Sequence, residues 1–387
     1  MSYAVRNLGR SRSRLLLSVL GSGLVVLLAL CAGGFVRGMT EGLRRTGDQK
    51  NVMVLGIGSE ESIERSEISA STAALLRASI PGLRTEAGVA FVSPEVHVQL
   101  PVTVGNAETD GRLVLIRGVT PEALLVHRQV QIIEGDWPRA GTDEVLVGRL
   151  AHAKLGVPAS ALAVRGTIMI DGKPRRIAGR IAAPHSLIDA EIWMPLTDLK
   201  AATKRETDSV VIATLGDGAA AAELADIQVF CRRRLDLEIT SMLEADYYAR
   251  LSTFFAPIRA VVWITAGLIA AGGILGGLNT MYAAFASRVR ELGMLQCLGF
   301  RRIAVVVSLI QESCLASAAG ALIACAIGVF LLDGLAVQFS MGSFGLRIDA
   351  PALLVGLCVG VGLGVLGAIP PAIRCLKLPI PEALKSA

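Results

Sequence analysis

The chain has 387 residues, 52% of them hydrophobic and only 18% charged, with a formal net charge of +5 and a mean hydropathy of +0.57. That is too apolar for an ordinary soluble protein and too rich in charge for one lying wholly in a membrane. Residues 37–259 hold 26 basic and 28 acidic side chains and the remainder 12 basic and 5 acidic, so the basic excess lies beside apolar segments. There it sets membrane orientation; the clustered basic face that nucleic acid requires is not seen.

The first 14 residues, MSYAVRNLGRSRSR, carry four arginines and no acid, and residues 15–36 follow without a charge. A bilayer needs about 20 apolar residues, whereas the core of a cleaved signal peptide has about 7–15. Cys31 follows Leu28-Ala29-Leu30, with leucine where a lipoprotein signal places a small residue. The segment therefore reads as an uncleaved first transmembrane helix with residues 1–14 in the cytoplasm.

Residues 37–254 read as a globular α/β domain. Alternation and β-branched content predict strands at 51–55, 89–104, 112–119, 130–133, 144–147, 162–170, 175–181, 191–194 and 208–215, the second broken by Pro94 and Pro101. Helices are predicted at 69–80, 121–127, 149–155 and 219–235. Gly135-Asp136-Trp137-Pro138 reads as a turn with a packed indole, and Arg232-Arg233-Arg234 as a solvated helix end. Of the seven cysteines only Cys231 falls here, so no intramolecular disulfide can hold this domain. His97, His127, His152 and His185 lack metal-ligand spacing, so no metal is expected. No G-x-S-x-G, no HExxH and no carboxylates paired by spacing are present, and the acids are spread as on a solvated surface. Gly42 and Gly47 have the separation of a phosphate-binding loop, but Asp48 stands where its lysine must be. The chain thus reads as non-catalytic and binds no cofactor by that route.

A helix at 241–255 is expected to run on into a second transmembrane helix, 255–287, with Pro257 kinking it. Gly272 and Gly276, and Gly273 and Gly277, form overlapping GxxxG pairs; these suit close helix approach, or reflect the glycine abundance of membrane helices. The third transmembrane helix, 303–332, repeats Ala316, Gly320, Ala324 and Gly328 at every fourth residue. Glu312, near its inner end, reads either as a cap or as a structural tie to the preceding loop. An outer loop at 333–350 leads to the fourth transmembrane helix, 351–369, with Gly356, Gly360 and Gly364 on one stripe and an end at Pro370-Pro371. A cytoplasmic tail, 370–387, follows.

The stretch that organises the chain is 280–313, TMYAAFASRVRELGMLQCLGFRRIAVVVSLIQES. Leu292, Leu295 and Leu298 fall on one face of a short helix in a loop at 288–302. Arg288, Arg290, Arg301 and Arg302 bracket it, and Gly293 and Gly299 lighten and end it. A short basic-flanked helix between two spans lies at the cytoplasmic surface, where a soluble partner can grip it. A plain basic loop serving orientation alone is the alternative.

Arg290-Glu291-Leu292-Gly293-x-Leu295-x-x-Leu298-Gly299, followed by Arg301-Arg302 and Glu312-Ser313, resembles the R-E-I-G-x-L-x-A-x-G signature of the FtsX-like permease domain. That domain belongs to the MacB/LolC/FtsX class of ABC transporter permeases. The departures are Leu292 for isoleucine, Gln296 where a basic residue is common, and Cys297 for alanine. IRGVTPEALL, IIEGDWP, DEVLVGRLAHAKLGV and IDAEIWMPLTDL follow the segment order of MacB-like periplasmic core domains.

The resemblance implies an α-helical membrane protein with four transmembrane helices and a large extracytoplasmic α/β domain between helices 1 and 2. The domain would be a porter-like half, 48–105 and 205–245, with a β-rich lobe inserted near 110–200. The protein would lie in the bacterial inner membrane with both termini cytoplasmic. Expected partners are an ABC ATPase subunit, which would hold the ATP and Mg, a second permease chain, a periplasmic adaptor or substrate protein, and membrane lipids. Expected functions are mechanotransmission for export or extraction of a lipoprotein, lipid, peptide or drug, or alternatively FtsX-like activation of a cell-wall hydrolase. A membrane-anchored sensor without an ATPase is a third class, which leaves the loop at 288–302 unexplained.

Overall fold

A computed structural model describes residues 12–105, 111–218, 222–339 and 342–376. Most of the expected N-terminal segment and the tail from 377 on lie outside the described residues. The chain divides into two compact units: residues up to 37, 257–335 and from 346 form one, and 38–256 with 336–345 the other.

The described residues begin with α1 (Arg12–Thr46), β1 (Asn51–Gly56), α2 (Thr72–Ser79), β2 (Thr85–Glu86), β3 (Val89–Ala90), β4 (Val92–Val104), β5 (Arg112–Val119) and α3 (Ala123–Val126). Next come β6 (Gln131–Gly135), β7 (Glu144–Gly148), α4 (Ala151–Leu155), β8 (Thr167–Ile170), β9 (Lys173–Ala182), β10 (Ile192–Pro195), α5 (Leu196–Thr203) and β11 (Val210–Thr214). The remaining elements are α6 (Leu224–Arg233), β12 (Ile239–Leu243), α7 (Glu244–Phe254), α8 (Ala256–Ala286), α9 (Val289–Cys297), α10 (Arg302–Ile327), β13 (Ala336–Phe339), β14 (Gly342–Gly345) and α11 (Ala350–Leu376).

The 38–256 unit is built on one ten-stranded mixed sheet in the order β12-β1-β11-β4-β5-β10-β7-β9-β6, with β8 joining β4 and β9. Among the described residues three cores form on it. Val52, Val54, Val92, Val211 and Ala213 pack with Leu76 of α2 and Ile227 and Phe230 of α6. Val114, Ile116, Val145, Val147, Ile168, Ile177 and Met194 pack with Leu155 of α4 and Leu199 of α5. Val119, Leu146, Ile181, Ile188 and Trp193 form the third. β4 joins the first core to the others: residues 92–95 pair with β11, and 96–102 pair with β5. Pro94 and Pro101 do not break this strand as expected. Its partners change sides between Glu95 and Val96, so Pro94 lies where β11 alone pairs with it.

Three further expectations are corrected. Residues 239–243 form β12, paired along β1 from Val52 to Gly56, and helix begins only at Glu244. Pro257 lies in the first turn of α8, where its fixed φ and missing N–H are tolerated, and so does not kink it. Part of the expected outer loop is a hairpin, β13–β14, that belongs to this unit. Arg112 Nη1 donates to Gln338 Oε1 at 3.0 Å, Gln338 Nε2 donates to the Ala153 carbonyl, and Phe344 is buried against Gly38 and Gly42.

Among the described residues four helices are long and apolar enough to cross a membrane, at 15–46, 256–286, 302–332 and 350–374; all but 38–46 and 256 belong to the other unit. Val26 and Leu30 of α1 pack with Ala321, Ala324 and Cys325 of α10 and with Ile348 and Ala352 at the start of α11. A single wide π-type turn, Gly328–Leu332, extends α10. Asp349 Oδ1 accepts from Ala352 N at 3.2 Å and caps α11. Pro370 and Pro371 lie inside α11, which does not stop there as expected. Neighbouring helices offset the lost turn, with Ala368 and Ala372 fully buried on either side of it.

Candidate functional site

The segment joining α8 to α10 is held from beneath. Ala284 and Phe285 end α8 inside a core with Leu292, Val305, Leu309 and Ala372. The Arg288 carbonyl accepts from Leu292 N at 3.0 Å, starting α9. Gly299, at φ +90, reverses the chain where a side chain would be strained, and Arg301 precedes α10. The turn is closed by Leu298 N to Met294 O at 3.0 Å and Phe300 N to Leu295 O at 3.2 Å.

This geometry corrects the expected leucine face. Leu292 is 1% exposed and Gly293 is buried, Leu295 is half-buried against the same core, and Leu298 is 76% exposed. The outward apolar surface is Met294, Leu298, Phe300 and Ile303, the last also 76% exposed. An i, i+3 spacing places leucines on one face, but here they spiral from the bundle side to solvent because α9 ends at Cys297. Arg290, Arg301 and Arg302 are exposed, whereas Arg288 is buried. Its Nη1 donates to Glu312 Oε2 at 3.1 Å, and its Nε to Glu291 Oε2 at 3.3 Å. Glu312 of α10 is itself buried, so this pair ties the short helix to the third apolar helix.

The glycines proposed for helix packing divide into two groups. A Cβ added to Gly360 would strike Ala321, and one on Gly364 would lie 2.8 Å from Cys314 Cα, so both let α11 approach α10. Gly320 meets Ser22 and Gly23 of α1, and Gly328 meets Leu30. Gly272 and Gly276 have nothing within 4 Å, while the neighbouring stripe places Gly273 against Val25. Within this chain the contact is therefore made by Gly273.

The second site was not expected. Inside the α/β unit, His97 of β4, Arg117 of β5 and Trp193 of β10 lie in register across three strands. Glu95 sits two residues before His97 and Glu191 two before Trp193, on the same face. Arg117 donates to both Glu191 oxygens at 2.7 Å each and to Glu95 Oε2 at 2.8 Å. Glu95 also bonds His97 Nε2 at 3.0 Å and His127 Nε2 at 2.8 Å. Glu191 accepts from Trp193 Nε1 at 3.0 Å. Glu244, the first residue of α7, accepts from Asn51 Nδ2 at 2.9 Å and from Asp48 N at 3.0 Å. Glu95, His97, Arg117, His127, Glu191 and Glu244 are all buried.

Burial opposes the charge on Glu95 and Glu191, but His127 and Arg117 beside the first and Arg117 beside the second hold both carboxyls below their ordinary range. Burial pushes His97 down and Glu244 up. The expectation of acids spread over a solvated surface is thus wrong for Glu95, Glu191 and Glu244. The visible signal was charge at alternate positions of otherwise apolar strands, as in Glu95-Val96-His97-Val98. Asp136 and Trp137 lie in an irregular stretch after Gly135, whose φ is +77, and not in the expected turn; Asp136 N donates to the Ala178 carbonyl at 3.2 Å and Trp137 packs against the third core.

A family model described as the FtsX-like permease C-terminal matches residues 263–380, and one described as the MacB-like periplasmic core domain matches residues 15–227. The chain belongs to the MacB/LolC/FtsX class of ABC transporter permeases, with four membrane helices and a large extracytoplasmic α/β domain between the first two. It is 23% identical over 332 residues to the macrolide export ATP-binding/permease protein MacB of Photorhabdus laumondii, a match covering 81% of this chain and 49% of that one. The chain thus spans about half the length of that relative. The periplasmic region of MacB from Actinobacillus actinomycetemcomitans matches with a TM-score of 0.41 at 11% identity, covering 54% of this chain and 94% of that one. The extracellular domain of the noncanonic ABC-type transporter YknZ from Gram-positive bacteria matches with a TM-score of 0.38 at 11% identity, covering 50% and 99%.

Proposed function

We propose that this chain is the membrane subunit of an ABC complex that works by mechanotransmission in a bacterial inner membrane. ATP and Mg bind a separate ATPase subunit, whose closure moves α9, and that motion reaches the extracytoplasmic domain through the membrane helices. The work is export or extraction of a lipoprotein, lipid, peptide or drug; macrolide export by the Photorhabdus relative belongs to this range. A second permease chain completes the complex, and the open Gly272 and Gly276 stripe of α8 suits its approach. Both termini and α9 face the cytoplasm, in keeping with the basic residues beside them.

The observation that carries this reading is the two-sided character of α9 and its flanks. The inner side is anchored by Leu292 and the Arg288–Glu312 pair, while Met294, Leu298, Phe300 and Ile303 present an apolar outer surface ringed by Arg290, Arg301 and Arg302. A partner with an apolar cleft and an acidic rim fits it.

The test is co-purification of an ATP-binding protein with the tagged chain from its native host. Leu298→Asp puts a charge into the contact and should weaken capture by about 2 kcal/mol, roughly 30-fold, at unchanged membrane levels. Capture equal to wild type in both Leu298→Asp and Phe300→Asp would overturn the docking surface.

A further inference from the structure

The buried cluster leaves one nitrogen without a partner. His127 Nδ1 is fully enclosed, makes no hydrogen bond, and lies 3.9 Å from Glu244 Oε1, while Nε2 is bonded to Glu95 at 2.8 Å. We propose that His127 and Glu244 form a proton-operated latch on the N-terminus of α7, closed while the pair holds one proton and loosened when it is lost.

The chemistry follows from the neighbours. With Nε2–H donating to Glu95, the Nδ1 of a neutral imidazole is a lone pair facing a carboxylate, two acceptors in a site without water's screening. A proton on Nδ1 makes it a donor aimed at Glu244, and a proton on Glu244 makes the carboxyl a donor aimed at Nδ1. Either state is attractive, and the state with neither is repulsive. The groups facing His127 are Glu95 of β4, Arg117 of β5 with Nη1 at 3.4 Å, Glu244 of α7, and the Trp193 ring of β10 at 5.9 Å, with Tyr248 of α7 beyond them near Arg117 and Glu244. His97 and Glu191 stand behind Glu95 and Arg117. Of these only Arg117 opposes a positive His127, and its charge is already shared by Glu95 and Glu191.

The titration directions agree. Burial would depress His127, but the charge and hydrogen bond of Glu95 outweigh it and hold it above 6.5. Burial raises Glu244. A raised histidine contributes stability that is fully present below about 6.5 and is lost as pH rises through the folded value. A raised carboxyl favours the protonated state, so its contribution also falls as pH rises. A cavity of about 40 Å³, lined in part by His97, Arg117, Glu191 and Tyr248, leaves room for a water or two at the cluster's edge.

The test is hydrogen exchange of the 244–254 amides in the full chain, in lipid nanodiscs between pH 6 and 9, corrected for intrinsic rates and referenced to 224–233. Opening of 244–254 should rise by up to about tenfold per pH unit through the titration, the limit for one proton. Glu244→Gln keeps an acceptor for Asn51 and Asp48 and offers Nδ1 a permanent donor, so its opening should be low and flat with pH. His127→Gln should be flat as well, and serves if the first variant folds poorly. No pH dependence in wild type, or the same dependence in both variants, would overturn the latch. Loss of ATPase capture leaves these readings unchanged, so this inference and the proposed function fail separately.

Discussion

Arg117→Met is the sharpest perturbation of the α/β domain. The side chain is 1% exposed and makes three charge-assisted bonds of 2.7–2.8 Å to two buried carboxylates. Methionine fills much of the same volume but leaves Glu191 with Trp193 Nε1 as its bonded side-chain donor and Glu95 with the histidines. Removing one partner of a buried ion pair costs about 3–5 kcal/mol, because the other charge remains in a poorly screened site. Domains are stable by about 5–15 kcal/mol, so the variant should be folded but visibly weakened.

The pH dependence gives a second handle. In wild type Glu95 and Glu191 are held below 4.5, so their contribution is present above that value and is lost as pH falls through the folded values. Without Arg117, burial governs Glu191 and raises it, so the variant's deficit should shrink as pH falls towards 5. Arg117→Met with Glu191→Gln should recover much of the loss, since an amide can accept from Trp193 without a charge. The assay is pulse proteolysis of the full chain in detergent, with maleimide labelling of the buried Cys231 quantified by mass spectrometry. A loss under about 1 kcal/mol at pH 7, or a loss that Glu191→Gln does not relieve, refutes the reasoning.

Two further outcomes follow from the membrane helices. A reporter enzyme active only outside the cytoplasm should work when fused after Gly141 and fail after Gly299; activity at both, or the reverse, refutes the proposed orientation. Gly360→Leu forces a branched side chain into Ala321 and should destabilise the α10–α11 contact by about 1–3 kcal/mol, read as lower membrane levels and a lower detergent melting temperature. Gly276→Leu, with open space around it, should leave both near wild type and change only self-association measured by cross-linking.

Much of this architecture was legible because its signals are local. The apolar lengths of the four helices, the arginines at 288–302 and the turn at Gly299 follow from a few consecutive residues. What was missed depends on partners distant in sequence. Leu292, Leu295 and Leu298 define a face, but which end is buried is decided by Phe285, Val305, Leu309 and Ala372 on three other helices. Residues 239–243 pass for helix until β1 supplies a ladder, and the hairpin at 336–345 acquires its role from distant partners, among them Arg112, Ala153 and Gly38. Pro370 and Pro371 mark a helix end in water, but between packed helices they do not.

The ionic cluster lies where the sheet changes partners, and that position argues for its use. At Glu95 and Val96, β4 leaves β11 for β5, and the first apolar core gives way to the second. Apolar contact there would be non-directional and would tolerate slippage of one lobe on the other. Arg117 instead meets one carboxylate from β4 and one from the residue before β10, each at a fixed angle, so a shift of either strand breaks bonds that water cannot replace. On the proposed function, in which the domain is pushed and pulled, a defined resting geometry at such a joint matters more than the last increment of stability. In the latch proposed above, the contact of His127 with Glu244, 3.9 Å apart, then tunes how firmly α7 is attached to that joint, beside the bonds Glu244 accepts from Asn51 and Asp48.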